Sequence, residues 1–174
     1  TREGADALTQ PVLEELAERY RDYVYGVDVG TLQNALVQAL QVRGMQVAVA
    51  ESCTGGLVAG RITEVSGASE VFGCGVCTYS NEMKTQLLGV PETLLMEQGA
   101  VSEACALAMA RGVRRLSGAD LGLSVTGIAG PGGGTPEKTV GLVSIAVRRP
   151  MGDSRRALAT YPLHCVGRGV MPRL

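Results

Sequence analysis

The chain has 174 residues, is 45% hydrophobic and 19% charged, and carries a net charge of −1. That is enough apolar material for one domain with its own core, and it argues against an intrinsically disordered chain. A balance this close to neutral supplies no global basic field, so no nucleic-acid partner is expected.

One Phe, five Tyr and no Trp leave the core to aliphatic side chains, while 24 glycines point to tight turns and loops that approach a ligand. The small basic clusters, Arg111, Arg114 and Arg115 and then Arg148, Arg149, Arg155 and Arg156, read as solvated charge. No run of eighteen apolar residues and no signal peptide is seen, so no membrane partner is expected and the chain reads as cytoplasmic. The opening Thr1 in place of Met suggests a processed or excised piece. Five Cys without framework spacing read as reduced thiols.

Residues Thr1 to Gln10 are polar and expected to be poorly ordered. Pro11 suits the first turn of a helix, and Val12, Leu13, Leu16, Tyr20 and Tyr23 carry helical spacing to Tyr23. A second helix is expected from Thr31 to Arg43, with Thr31 its alternative N-cap and Gly44 its stop. Met45 to Ala50 reads as a buried strand. It breaks into Glu51-Ser52-Cys53-Thr54-Gly55-Gly56 and enters a helix that runs to Val65. Val71 to Tyr79 reads as a strand, and Ser80 or Asn81 as the cap of the helix that follows. Pro91-Glu92 starts a short helix that Gly99 ends, and Ser102-Glu103 opens a longer one through Leu116. Asp120 to Val125 is a strand, followed by a glycine-rich loop from Thr126 to Lys138. Thr139 to Val147 and Arg155 to Tyr161 then read as a hairpin, and the tail from Pro162 has no clear period. Strands alternating with helices predict an α/β layer structure, and the closing hairpin makes the sheet mixed.

Chemistry is expected at the turn after the first strand. Ser52, Cys53 and Thr54 all qualify as nucleophiles, and each needs a base. An ordinary helix cap accounts for Ser52 equally well. His164 is the one histidine and lies in the tail, which disfavours a Ser-His-Asp triad; Gly-x-Ser-x-Gly is absent. A lysine base remains, because buried lysines move readily toward neutrality, and the chain has only Lys84 and Lys138. The loop from Thr126 to Gly134 follows neither the Walker A nor the Gly-x-Gly-x-x-Gly pattern. Cys74-Gly75-Val76-Cys77 is a poor metal site, since a three-residue offset in a strand sends the two thiols to opposite faces.

Ala50-Glu51-Ser52-Cys53-Thr54-Gly55-Gly56, Thr78-Tyr79-Ser80-Asn81-Glu82-x-Lys84, Leu88-Gly89-Val90, Gly99-Ala100-Val101-Ser102-Glu103 and Val125-Thr126-Gly127-Ile128-Ala129-Gly130-Pro131-Gly132-Gly133 occur in that order. From about Thr31 to Val147 the chain therefore resembles the CinA C-terminal domain family, whose enzymatic members are nicotinamide mononucleotide deamidases. The resemblance implies a three-layer α/β/α sandwich with a mixed, mostly parallel sheet. It implies hydrolysis of the carboxamide of nicotinamide mononucleotide to nicotinate mononucleotide and ammonia. It makes Ser52 the nucleophile and Lys84 its base, with Tyr79 in support. Amides near Thr54, Gly55 and Gly56 are then expected to hold the oxyanion, and Thr126, Gly127, Ile128, Ala129 and Gly130 to contact the nucleotide. No metal or other cofactor is implied.

Residues 1–28, with Asp22-Tyr23-Val24-Tyr25-Gly26, resemble the connector that precedes this domain in two-domain CinA proteins, leaving 29–174 as the domain itself. The tail departs from the family. It reads His164-Cys165-Val166-Gly167-Arg168, without the family's Asp, and Pro172 disfavours a closing helix. Arg168 stands for the family's arginine, a phosphate partner. An apolar face uncovered by a missing helix, or the first helix, would suit a homo-oligomer. The alternative to an amidohydrolase is a non-catalytic domain that binds a nucleotide or a protein. A third reading, a DNA-binding competence factor, rests on the family's name and is opposed by the charge.

Overall fold

The computed structural model describes residues 2–149 and 157–162. Helix α1 spans Arg2–Arg19 and encloses Pro11. The expectation of a polar, unordered start and a helix opening at Pro11 is therefore corrected. An internal proline removes one hydrogen bond, here the one to the Ala7 carbonyl. The turn before it holds Ala5, Ala7 and Leu8, all good helix formers. It is further tied by Thr9 Oγ1 donating to Ala5 O at 3.0 Å. Across the proline, Gln10 Nε2 donates to Glu14 Oε1 at 2.9 Å.

Helix α2, Leu32–Arg43, starts where the Thr31 hydroxyl accepts the Asn34 amide and ends at Gly44, at φ 59°. Such a left-handed stop strongly favours glycine. Strand β1, Val47–Glu51, is buried throughout. Helix α3, Leu57–Thr63, follows the Ser52 turn, and a single 3-10 turn, Ala68–Glu70, leads into β2, Phe72–Cys77. Ser80, rather than Asn81, caps α4, Asn81–Leu88, by accepting the Met83 amide. Helix α5 is Glu92–Gln98, and α6 is Glu103–Ser117, capped by Ser102. Strands β3, Leu121–Gly127, β4, Leu142–Arg148, and β5, Ala157–Pro162, complete the order. The expected hairpin is present as an antiparallel β4–β5 pair, although its connection lies outside the described residues.

The sheet runs β2-β1-β3-β4-β5. Strand β1 pairs in parallel with β2 and β3, while β4 is antiparallel to β3 and β5, so every strand but β4 points the same way. Side chains alternate along β1 and feed two cores. Val47 and Val49 pack with Val37 and Leu40 of α2 and Ile62 of α3. Ala48 and Ala50 pack with Leu88 of α4, Leu95 of α5, and Cys105, Met109 and Val113 of α6. The result is the expected three-layer α/β/α arrangement with a mixed, mostly parallel sheet.

Helix α6 sits very close to its neighbours, and two glycines permit it. A Cβ on Gly122 of β3 would strike the Ala110 carbonyl, and one on Gly112 of α6 would strike the Leu88 carbonyl. Backbone cannot yield as a flexible side chain can. Gly122→Ala is expected to destabilise the domain by about 2–3 kcal/mol, which thermal denaturation would register as a fall of about 5–10 °C in Tm.

Parallel pairing brings three strand ends to one edge. Glu51 is in register with Cys77 of β2 and Val125 of β3. The next residues, Ser52, Thr78 and Thr126, therefore lie side by side where open α/β sheets present ligand sites.

Candidate functional site

Ser52 is 7% exposed and Lys84 is 1% exposed. The Ser52 amide donates to Val125 O at 3.0 Å, which anchors the residue to β3 at the centre of the sheet. Helix α4, started by its Ser80 cap, carries Lys84 on its inner side. Lys84 Nζ lies 3.1 Å from Ser52 Oγ. The same amine donates to Thr78 O at 2.8 Å and to Tyr79 O at 3.1 Å.

A carbonyl can only accept, so the two carbonyls take two N–H groups of Lys84. In the neutral amine this leaves the lone pair for the Ser52 hydroxyl. Burial pushes the Lys84 pKa down from its ordinary value; negative charge on the nearby Cys105, Cys77 or Cys53 sulfurs would act in the other direction. Burial also raises the Cys105 thiol, which keeps it protonated and uncharged near neutral pH. Among the described residues no carboxylate pairs with Lys84. An amine buried without a counter-charge favours the neutral, basic form.

The nearest acidic residue along the chain is turned away. Glu51 is 1% exposed. It belongs to the β1 face of Val47 and Val49, opposite the face that carries α4. Its Oε2 accepts the amides of Gly56 and Val58, both at 3.1 Å, and its Oε1 accepts that of Ala59 at 2.8 Å. Helix α3 has glycine at its N-cap and no side-chain cap of its own, so Glu51 performs that task from the strand. The sequence reading missed this role. The available signal was an acidic residue directly before a Gly-Gly turn that opens a helix.

Two of the expected oxyanion donors already have partners within the turn. The Gly55 amide already donates to Ser52 O at 3.1 Å, and the Gly56 amide is held by Glu51. A carboxylate already occupies the start of α3, and a second anion there would meet like charge. Thr54 differs, because its buried hydroxyl has no hydrogen-bond partner. Gly55 and Gly56 serve the backbone instead, at φ 62° and 100°.

The remaining expected residues divide by position. Tyr79 reaches Lys84 through its carbonyl, while its side chain is 64% exposed. The Thr126 hydroxyl donates to Ala100 O at 2.8 Å, so its proton is engaged within the fold. Gly127 abuts the turn, since a Cβ there would come within 3.1 Å of Cys53 Sγ. Ile128 exchanges backbone hydrogen bonds with Leu142 and Gly141. Ala129 and Gly130 follow it, and the Gly130–Pro131 bond is cis. Arg168 and His164 lie outside the described residues. Lys138, the alternative base, donates to Gln98 O at 2.6 Å and Val101 O at 2.7 Å at the end of α5, and not to Ser52. Cys74 packs toward α6 and Cys77 is exposed, as the strand period requires. Among the described residues no three His, Cys, Asp or Glu side chains gather as a metal site, and no helix is long and apolar enough to cross a membrane.

A buried serine–lysine pair at the carboxyl edge of a mixed α/β sheet defines a candidate nucleophilic site. The model of the CinA C-terminal domain family matches residues 29–161, and the chain belongs to that family. It is 56% identical over 145 residues to a CinA-like protein of Desulfovibrio desulfuricans, covering 83% of this chain and 34% of that protein. It is 47% identical over 146 residues to a CinA-like protein of Kosmotoga olearia, covering 84% of this chain and 35% of that protein. The chain thus spans about a third of the length of these curated relatives. Among solved structures, the competence/damage inducible protein CihA of Agrobacterium tumefaciens superposes with a TM-score of 0.76 at 41% identity. That match covers 83% of this chain and 87% of the other.

Proposed function

We propose that this domain hydrolyses the carboxamide of nicotinamide mononucleotide, giving nicotinate mononucleotide and ammonia. The observation that carries the reading is the Lys84 amine, 3.1 Å from Ser52 Oγ, with two N–H groups engaged by carbonyls. The substrate comes from the family resemblance. Ser52 passes its proton to Lys84 Nζ as Oγ attacks the carboxamide carbon. The Thr54 amide holds the developing oxyanion. The C–N bond breaks, and the Lys84 ammonium protonates the departing nitrogen, which leaves as ammonia. Water then attacks the acyl ester, gives a proton to Lys84, and the carboxylic acid departs as Ser52 recovers its hydrogen. Tyr79 orients Lys84 through its carbonyl. The segment from Gly127 to Gly130 and Arg168 bind the nucleotide.

The direct test is ammonia release from nicotinamide mononucleotide by the purified chain. Binding without release would instead assign a nucleotide-binding appendage of a longer protein. The pH profile supplies a second check. Lys84 must be neutral to act as base, and burial lowers its pKa. Activity is therefore expected to rise with pH through an inflection below the ordinary lysine value of about 10.4. An acid limb in the carboxylate range would remove Lys84 from the role.

A further inference from the structure

Glu51 is a buried acid one residue from the nucleophile, and the mechanism above does not use it. Its carboxylate touches neither Ser52 nor Lys84. It holds three amides, those of Gly56, Val58 and Ala59, at 2.8–3.1 Å. With the Gly55 amide on Ser52 O and the Leu57 amide on Thr54 O, the whole turn from Ser52 into α3 is closed by hydrogen bonds. Four residues, Ser52 to Gly55, separate the carboxylate's own residue from the first amide it binds. The clamp thus spans the segment that carries the Ser52 hydroxyl and the Thr54 amide.

The strand period gives the arrangement its second consequence. Glu51 shares a face with Val47 and Val49, whereas Lys84 belongs to the face of Ala48 and Ala50. A carboxylate on the Lys84 side would stabilise the ammonium form and abolish the base. The sheet keeps acid and base apart, and the α3 amides satisfy the acid. From this geometry, and resting on the reading of Ser52 as nucleophile, we infer that Glu51 is a positioning residue: it fixes the Ser52–Thr54 turn by clamping the start of α3, and leaves the basicity of Lys84 untouched.

Two substitutions separate reach from charge. Glu51→Gln keeps the length but turns an amide N–H₂ toward a backbone N–H. Glu51→Asp keeps the charge but is one methylene too short to hold all three amides. In the full 174-residue chain, both are expected to lower kcat for ammonia release by roughly 10- to 100-fold per folded molecule, as displacement of a reacting group does. KM and the pH inflection assigned to Lys84 should stay in place. Hydrogen exchange of the Gly56, Val58 and Ala59 amides should be slow in the wild type and faster in both variants.

Unchanged kcat in either variant, or a displaced inflection, overturns the inference; the latter would mean that Glu51 acts on Lys84 through its field. Exchange that is fast in the wild type overturns it as well, and that measurement stands even if neither variant folds. If the wild type releases no ammonia while the variants still speed exchange, the proposed reaction fails and the clamp survives. Unaltered exchange in folded variants removes the clamp whatever the turnover.

Discussion

If the proposed reaction holds, Ser52→Ala is expected to lower ammonia release by roughly 10⁴- to 10⁶-fold, the range seen when a catalytic serine is removed. Its fold is expected to survive. The backbone tie from the Ser52 amide to Val125 O does not involve the side chain. Lys84 keeps its two carbonyl partners, Thr78 and Tyr79. One neutral hydrogen bond is lost, about 1 kcal/mol, so Tm should move by only about 2–4 °C. Steady-state turnover and thermal denaturation on the same preparation check both halves. Substantial turnover by the Ser52→Ala variant would pass the nucleophile role to Cys53 or Thr54, which the sequence alone left in competition.

Lys84→Met removes the base while filling nearly the same volume. Turnover is expected to fall by about 10³- to 10⁴-fold, within the range for a lost general base. The stability effect is a matter of pH. Burial sets the native pKa of Lys84 below its unfolded value. Below the native pKa both states hold the proton, and the burial penalty weighs in full. As pH rises through the native pKa toward about 10.4, the native state has released its proton while the unfolded chain still binds one. Wild-type stability should therefore climb across that window. The Met variant has no titratable group there and should lack this climb; its absolute Tm should fall, because the Thr78 and Tyr79 carbonyls lose their donor. Parallel curves for the two proteins would show that Lys84 is not held neutral.

These two expectations rest on features of different legibility. The local punctuation needed no tertiary contact. Thr31, Ser80 and Ser102 cap helices because a short hydroxyl can reach the third amide, and Gly44 ends α2 because a left-handed residue must. The aliphatic alternation of β1 marked a buried strand for the same kind of reason. Pro11 misled because a local preference was read as a boundary, whereas a helix of good formers tolerates one missing hydrogen bond.

The motifs also singled out Ser52 and Lys84 as partners, but only through family resemblance. Their contact spans 32 positions and is made by the sheet edge and the inner side of α4. Spacing in the chain could not choose Lys84 over Lys138, since both amines bind two carbonyls and only packing determines which one also meets a serine. Nor could it show that Glu51 binds the α3 amides, which closes the helix start to an incoming anion. By itself the sequence determined most of the elements, the hydroxyl caps of α2, α4 and α6, and the family, because those depend on neighbours within a few residues. The tertiary structure decided which groups are buried together, and so which charges are neutralised and which hydroxyl has a base, because burial and partner geometry exist only once the layers have packed.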